Sequence, residues 1–446
     1  MNMEINNNNP KISLFTQIRQ KGIKILWHNT KIKAIVILIG ANIANNLVAF
    51  LINLFIAKKF GPNNYGIFAL AMSFMEAFHL VADIGLSLTI VRFFNLYDTD
   101  EEQQKKLLAS VLILKLAVVL LMILIAWPLG SISLQILKVQ ELHKILFVAA
   151  AASVGVFGLW AYYKNILQAH RKFSKLAIYN ILYAGFRVIC FITIYKIFTS
   201  SVDLPLVFIS LYTIPLLIII SIGFLPLMIR MFKERIPRLS VMTNIILRIL
   251  KYGKWVALSG LCHSFIYRGI QFILSTRTSK FELGIFSAGF VFTLAFSPFN
   301  MAVRTVFFPH VTAFKEKEMK RYFKRIKKVF PYYIIIILIS ITVLAAIQVL
   351  FLGEQYANAL PVFLITSFSL TLMIFLGLIS MLVHTLMRPE IDAYTNIGRL
   401  VVSCILAYFL APTLGAIGGA LSYALPILIG ELLMVMYVMR LIDEKV

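Results

Sequence analysis

Charged side chains lie inside several of the long apolar runs of this 446-residue chain. The basic ones are Lys115, Arg187 and Arg268, with Arg304 nearer the end of its run, and the acidic ones are Glu76, Asp83 and Glu431. A charge at the centre of a membrane span costs about 2.5–3.5 kcal/mol on insertion scales, so such residues normally face protein or water. Their basic surplus suits an anionic ligand.

Two interpretations of these charges stay open from the sequence. They can line a polar cavity, which we expect for Arg187 and Arg268, or they can pair internally and fix helix packing, as Asp83 would with a lysine or arginine. Lys115 fits either interpretation equally well. Snorkelling towards the membrane surface explains Arg304 without any function. The acids Asp83, Glu76 and Glu431 are the candidates for coupling transport to a proton or sodium ion.

Apolar runs fill the chain, which is 60% hydrophobic and only 14% charged. Soluble domains carry about 25% charged residues, so the composition predicts a protein that crosses the membrane many times. Lipid leaves the backbone no water to bond, so every span must be a helix. We predict twelve, at 33–57, 65–94, 107–128, 144–168, 176–198, 204–229, 254–275, 283–309, 329–352, 360–386, 391–411 and 415–439.

Basic residues are distributed unevenly between the loops, although the net charge is +24. They concentrate before the first span and in segments 230–253 and 310–328, whereas the alternate loops are nearly bare. This asymmetry places both termini in the cytoplasm. A nucleic-acid partner is not expected, because such a surface needs one continuous basic face. The first run, near Ala34, should remain as an anchor, with no cleavable signal peptide before it.

An internal repeat divides the chain into halves. Tyr65–Phe78 and Leu283–Phe296 agree at six of fourteen positions, and the same offset pairs Asn45-Asn46 with His263-Ser264. An offset of six spans keeps both halves in the same orientation, as in transporters with parallel repeats. We therefore expect a tail at 1–32 with an interfacial helix or a frayed linker, a six-helix lobe at 33–229, a cytoplasmic linker at 230–253, a second lobe at 254–439 and a C-terminus at 440–446.

Sequence motifs for soluble-type catalysis are missing. The chain has no GxxxxGK[ST] phosphate loop, no HExxH and no CxxC, and its three cysteines lie in apolar runs without metal-ligand spacing. We expect no cofactor, no metal site and no hydrolysis of ATP, so any transport is secondary or is coupled to a partner.

Several stretches resemble the oligosaccharide (O-antigen type) flippases of the multidrug/oligosaccharidyl-lipid/polysaccharide (MOP) exporter superfamily. They occur in order along nearly the whole chain beyond residue 30: "FGPNNYGIFALA" (60–71), "VADIGLSLTIVRFF" (81–94), "FELGIFSAGF" (281–290), "TVFFPHVTAF" (305–314), "LFLGEQYANALPVF" (350–363) and "FLAPTLGAIGGALSYAL" (409–425). The chain departs from the family pattern at "TRTSK" (276–280), where a glycine is usual, and at "LMRPEIDAY" (386–394), where the family often has a Gly-Arg pair.

The resemblance implies an all-α fold of two six-helix lobes that rock around a central cavity in a bacterial cytoplasmic membrane. The cargo would be an oligosaccharide on undecaprenyl pyrophosphate, moved outward for surface polysaccharide assembly, with a glycan polymerase as a possible neighbour. A pyrophosphate needs guanidinium or ammonium partners when it is buried. Arg268 and Arg187, then Lys115, are the candidates, while Asn45, Asn46 and His263 could bind sugar hydroxyls or simply pack between lobes.

Three other functions remain as alternatives. A drug or cation exporter of the same superfamily would favour an acidic cavity, against the basic surplus here. A membrane-embedded glycan polymerase or glycosyltransferase typically has a long or acidic external loop, whereas the predicted external loops are short. A structural scaffold for glycan-assembly enzymes is not excluded by the sequence.

Overall fold

The computed structural model describes residues 30–83, 86–97, 100–197, 203–233, 237–300, 316–385 and 389–444, together with the single residues 303, 307 and 311. The predicted interfacial helix in the N-terminal tail and the predicted site residue Arg304 both lie outside this part of the chain.

The described residues are almost entirely helical. In chain order the helices are α1 Thr30–Asp83, α2 Leu86–Leu96, α3 Glu101–Ile136, α4 Lys144–Ala169, α5 Phe173–Ile197, α6 Leu204–Phe208, α7 Ile214–Ile219, α8 Leu225–Lys233, α9 Leu239–Arg277, α10 Lys280–Thr293, α11 Glu316–Leu352, α12 Ala359–Ser380, α13 Leu382–Thr385 and α14 Pro389–Glu444. The segments α6, α7 and α8 follow one another through two π-helical turns, Ile209–Thr213 and Ile220–Phe224.

Two of these helices are long enough to cross the membrane twice. α1 has 54 residues and turns sharply at Gly61, where φ is 70°, and α14 has 56 residues and turns at Gly415, where φ is 55°. Both values lie in the left-handed region, which favours glycine. We call the parts before and after each turn the first and second arms. Gly61 falls between the predicted spans 33–57 and 65–94, and Gly415 is the first residue of the predicted span 415–439.

The twelve-span prediction is confirmed. Nine helical stretches of the described chain are long and apolar enough to cross a membrane, and two of them, Val36–Asp83 and Glu390–Leu441, hold two arms each. The remaining predicted span, 254–275, is the seventh in chain order and lies in α9, whose 39 residues exceed the length needed for the roughly 30 Å hydrocarbon core. The first six spans form the N-terminal lobe and the last six form the C-terminal lobe.

The internal repeat lies where the two lobes meet. Gly66 in the second arm of α1 packs against the backbone of Lys280 and Gly284, and Gly284 in α10 packs against the carbonyl of Pro62. A β-carbon at either glycine would overlap these backbone atoms, so the two helices can approach this closely only without side chains there. The two copies of the repeat therefore form one crossing between the lobes.

Hydrogen bonds also join the lobes at this end of the bundle. The hydroxyl of Tyr356 donates to the carbonyl of Ala57 over 2.7 Å. The carbonyl of Leu137 accepts from Ser275 over 2.6 Å and from Lys280 over 2.8 Å. Each bond links the N-terminal lobe to the C-terminal lobe, so the end near Gly61 and Gly353 is closed. From the basic-loop asymmetry, this is the end predicted to lie outside the cell.

Apolar side chains lie both between the helices and on the outer surface of the bundle. Between the helices, large aromatic residues such as Phe68, Phe147, Phe286 and Phe363 are completely buried. On the outside, α11 exposes a row of apolar side chains that includes Ile336 and Ile339. Such a row is costly in water and normal against lipid, as expected for a membrane-spanning helix.

Candidate functional site: a polar cluster between the lobes

One ion pair crosses from lobe to lobe within the membrane-spanning part. Arg268 on α9 contacts Glu76 on the second arm of α1 through its Nη2 atom, and its Nη1 donates to the carbonyl of Ser264. The Arg268 side chain is 16% exposed and that of Glu76 is 41% exposed. The carboxylate therefore faces an opening, while the guanidinium lies deeper between the helices.

A second contact lies one helical turn along the same two helices. The hydroxyl of Ser73 donates to the side-chain oxygen of Gln271. The amide nitrogen of Gln271 in turn donates to the hydroxyls of Tyr267, over 2.7 Å, and Ser287, over 2.8 Å. Ser73 precedes Glu76 whereas Gln271 follows Arg268, as antiparallel neighbouring spans require. We refer to Ser73, Glu76, Arg268 and Gln271 as the inter-lobe contact.

Arg187 is a buried arginine on α5 with only 3% of its surface exposed. Its guanidinium lies over the rings of Tyr212, 4.8 Å from the centroid, and Tyr183, 5.4 Å away. Among the described residues, its Nε and Nη2 atoms have no hydrogen-bond partner and no carboxylate forms a salt bridge with it. Cation–π contacts offset only part of the cost of burying a charge.

Two tyrosines thus lie beside the Arg187 guanidinium, Tyr183 and Tyr212. The hydroxyl of Tyr212 also accepts a hydrogen bond from the amide of Asn53 over 3.3 Å. We refer to Arg187, Tyr183, Tyr212, Glu76 and Arg268 together as the polar cluster. This set contains two of the basic residues predicted from the sequence and one of the predicted acids.

Lys115 lies in a different environment within the N-terminal lobe. Its amine on α3 contacts the Asp83 carboxylate at the end of the second arm of α1 over 2.6 Å, and only 2% of the lysine side chain is exposed. Of the two interpretations that the sequence left open, internal pairing is therefore the one observed for Lys115 and Asp83.

Glu431, the third predicted acid, lies in a buried network of the C-terminal lobe. It contacts Arg399 over 2.6 Å, and both side chains are 5% exposed. Ser380 donates to the other carboxylate oxygen over 2.6 Å, and Arg399 donates to Asn396 over 3.2 Å. The amide nitrogen of Asn396 donates to the hydroxyl of Ser259 over 2.9 Å. The network joins α9, α12 and both arms of α14.

Arg399 is a buried, paired intramembrane charge that was not among the residues predicted from the sequence. The signal was present, since this arginine lies within the predicted span 391–411 and follows Gly398. Asp392, which accepts a hydrogen bond from Ser259, was missed in the same span.

The remaining predicted residues are arranged less tightly. Asn45 is half-buried and its side-chain oxygen has no hydrogen-bond partner among the described residues, whereas Asn46 is exposed. His263 is half-buried on α9. The nearby Asn42 accepts a hydrogen bond from Asn180 over 2.8 Å, which ties the first arm of α1 to α5. Within the described part of the chain, no three histidine, cysteine or acidic side chains are grouped so that they could hold a metal ion.

Solved structures with this architecture are transporters of the MOP superfamily. The lipid II flippase MurJ in an inward closed conformation aligns with a TM-score of 0.68 at 15% identity, over 91% of this chain and 87% of that one. An inward-facing multidrug resistance MATE transporter aligns with a TM-score of 0.66 at 15% identity, over 90% and 95% of the two chains. A MOP superfamily transporter from Pyrococcus furiosus, described as having a binding pocket of reverse polarity, aligns with a TM-score of 0.61 at 16% identity, over 92% and 96%.

The fold is therefore that of the MOP superfamily, and a comparison by sequence identifies a family within it. The model of the polysaccharide biosynthesis protein family matches residues 32–315, so the chain belongs to this family. No curated protein matches it significantly by sequence.

Proposed function

We propose that the protein is a flippase, not an enzyme, that moves an oligosaccharide linked to undecaprenyl pyrophosphate across the bacterial cytoplasmic membrane. Membership of the polysaccharide biosynthesis family and the shared fold with the MurJ flippase support the reaction class. The polar cluster supports the chemistry of the cargo, because a pyrophosphate linkage carries negative charge that must meet guanidinium groups when it leaves water.

This assignment depends most on the buried guanidinium of Arg187 and its unsatisfied N–H groups. A buried guanidinium with unsatisfied N–H groups is unfavourable in the empty protein. A phosphate oxygen placed between Tyr183 and Tyr212 would satisfy those groups. Binding would then be favourable, because these N–H groups have no partner among the described residues of the empty protein. The same position would repel a cationic drug.

Arg268 has a related role in this proposal. Glu76 would occupy the position of the phosphate beside Arg268 while no cargo is bound. The exposed carboxylate can move aside at a smaller cost than a buried one, because water replaces its partner. A phosphate that takes over Arg268 would separate the inter-lobe contact. Binding of the cargo would then favour opening of the end that is closed in this structure, as alternating access requires.

The direction of transport follows from charge in this proposal. An anionic cargo that leaves an inside-negative cell gains about 2.3 kcal/mol per charge for each 100 mV. Asp83 and Glu431 each have a basic partner in this state, so protonating either one would leave a buried cation unpaired. We therefore favour the membrane potential over a proton gradient. Collapse of the potential in reconstituted vesicles should stop flipping, and unchanged flipping would contradict this.

The orientation in the membrane is part of the same proposal. The basic segments 230–253 and 310–328 would lie in the cytoplasm with both termini, and Asn63 and Glu354 outside. Single cysteines at residues 63 and 354 should react with an impermeant thiol reagent in intact cells. Reaction of cysteines in the basic segments instead would invert the arrangement.

The assignment can be tested by measuring glycan export in cells that depend on this protein. Arg187→Ala and Arg268→Ala should abolish export, while the amount of protein in the membrane stays near that of the wild type. Lys196→Ala is a matched control, because Lys196 is an exposed basic residue on the same helix as Arg187. Full export by both arginine variants would contradict the proposal. Loss of the proteins from the membrane would indicate a purely structural role.

A further inference from the structure

A separate basic cavity lies in the N-terminal lobe at the end of the bundle that we place in the cytoplasm. It has a volume of about 270 Å³ between the end of α4, the start of α5 and α8. Lys172, Lys175 and Arg230 line it, and none of the described residues around it is acidic. The polar cluster discussed above shares no residue with it.

The cavity has a defined floor and wall. Tyr163, Ile166 and Leu167 of α4 form part of its lining and are buried. The rings of Tyr163 and Tyr179 lie 5.4 Å apart, so two phenols contribute to one side of the cavity. The cavity therefore combines a packed interior with a rim of exposed, positively charged side chains.

The local backbone keeps this space open. The π-helical turn Ile220–Phe224 ends beside the cavity, and Pro226 lines it one turn further on. Gly223 lies so close to Tyr179 that a β-carbon would meet the phenol at 2.7 to 2.8 Å. π-Helical turns interrupt regular helix packing and occur often at functional sites.

The surface next to the cavity is apolar and faces outward from the protein. Ile222, Leu225 and Ile229 on one side and Ile178 and Leu182 on the other are all exposed. Along both chain segments these residues continue from the cavity towards the middle of the bilayer. A ligand with a charged head and apolar tails would match both parts, with its head in the basic rim.

We propose that this cavity binds the headgroup of an anionic phospholipid from the cytoplasmic leaflet. Basic pockets between spanning helices on this side of a membrane suit phosphate headgroups. Three cations and two phenols provide donors for phosphate oxygens, and the exposed isoleucines and leucines lie where acyl chains would run. A bound lipid would tie the ends of α4, α5 and α8 together. The inference rests on the proposed orientation but not on the identity of the cargo.

Binding of phosphatidylglycerol to the purified full-length protein in detergent tests the proposal by native mass spectrometry. The variant K172Q/K175Q/R230Q should bind on the order of 100-fold more weakly, since each basic residue contributes about fivefold. The control K324Q/R325Q/K328Q removes the same charge from exposed residues of α11, at the same end of the bundle, and should bind as the wild type does. K172R/K175R/R230K should also retain binding.

Four results would overturn the proposal. Equal losses in the cavity variant and the α11 control would mean that the protein attracts anionic lipid through its overall charge. Unchanged binding by a cavity variant that melts at the wild-type temperature would show that the lipid does not bind in this cavity. Equal binding of phosphatidylcholine would show that anionic charge is not recognised. Displacement of the lipid by inorganic phosphate, or by undecaprenyl pyrophosphate at equal concentration, would assign the cavity to a different phosphate ligand.

Discussion

Two arginines are buried almost equally in the two lobes and have opposite surroundings. Arg399 in the C-terminal lobe is 5% exposed and contacts Glu431 and Asn396. Arg187 in the N-terminal lobe is 3% exposed and lies over the faces of two tyrosine rings, and no carboxylate of the described residues forms a salt bridge with it. Burial alone therefore does not separate the two arginines, and in our proposal the internal carboxylate marks Arg399 as the structural charge.

The inter-lobe contact falls between these extremes. Arg268 has a carboxylate partner, as Arg399 does, but that partner is 41% exposed and belongs to the other lobe. The pairs Lys115–Asp83 and Arg399–Glu431 each join helices of a single lobe. Rocking of two rigid lobes would leave both of these pairs intact and would separate Glu76 from Arg268. The three pairs should therefore respond very differently to mutation.

The largest loss of stability is expected at Arg399. Arg399→Met should destabilise the protein by about 3–5 kcal/mol, because Glu431 would remain buried without its partner. Thermal melting of the purified variant and its amount in the membrane measure the effect. Arg399→Met combined with Glu431→Leu should recover much of the stability. A single variant as stable as the wild type would contradict the structural role.

A smaller loss is expected at Asp83. Asp83→Asn should lower the melting temperature, because it leaves the Lys115 ammonium buried without a negative charge, but Asp83 itself is 13% exposed and water can compensate in part. The variant that still folds should respond to the membrane potential and to a pH gradient as the wild type does. A selective loss of the response to the pH gradient would instead make Asp83 a proton-coupling residue.

The smallest change in stability is expected at Glu76. Glu76 is 41% exposed, so water can take its place beside Arg268, and Glu76→Gln should lower the melting temperature less than Asp83→Asn does. Because the pair crosses between lobes, the same change should raise the accessibility of residues at the closed end, measured by labelling a cysteine at residue 57. Asp83→Asn is the matched control, since its pair lies within one lobe. Equal labelling of both variants would contradict the inter-lobe role.

The sequence was sufficient for the number of spans and the parallel repeat, because apolar length and turn glycines such as Gly61 act locally. It also identified Arg187, Arg268 and Glu76 as intramembrane charges, since lipid makes any such charge conspicuous. The pairing of these charges could not be predicted. Whether Lys115 contacts Asp83 depends on how α1 and α3 pack, and residues 32 positions apart carry no sequence signal for that contact.

The buried network of the C-terminal lobe shows a second limit. Arg399 lies within the predicted span 391–411, but its contact with Glu431 depends on how the two arms of α14 pack, which the sequence does not show. The opposite case is Gly66 and Gly284, where the repeated residues marked a real crossing of two helices. A repeat in the sequence thus located a contact between the lobes, while the chemistry within each lobe needed the structure.

Binding of undecaprenyl pyrophosphate to purified Arg187→Met tests directly whether Arg187 contacts the phosphate groups of the cargo. We expect the affinity to fall at least about tenfold, the equivalent of one lost charge-assisted hydrogen bond. The melting temperature should stay unchanged or rise, because an unpaired buried charge is removed. Arg187→Lys should retain part of the binding. Wild-type affinity in Arg187→Met, or a protein that no longer folds, would contradict the assignment of Arg187 as the phosphate-binding residue.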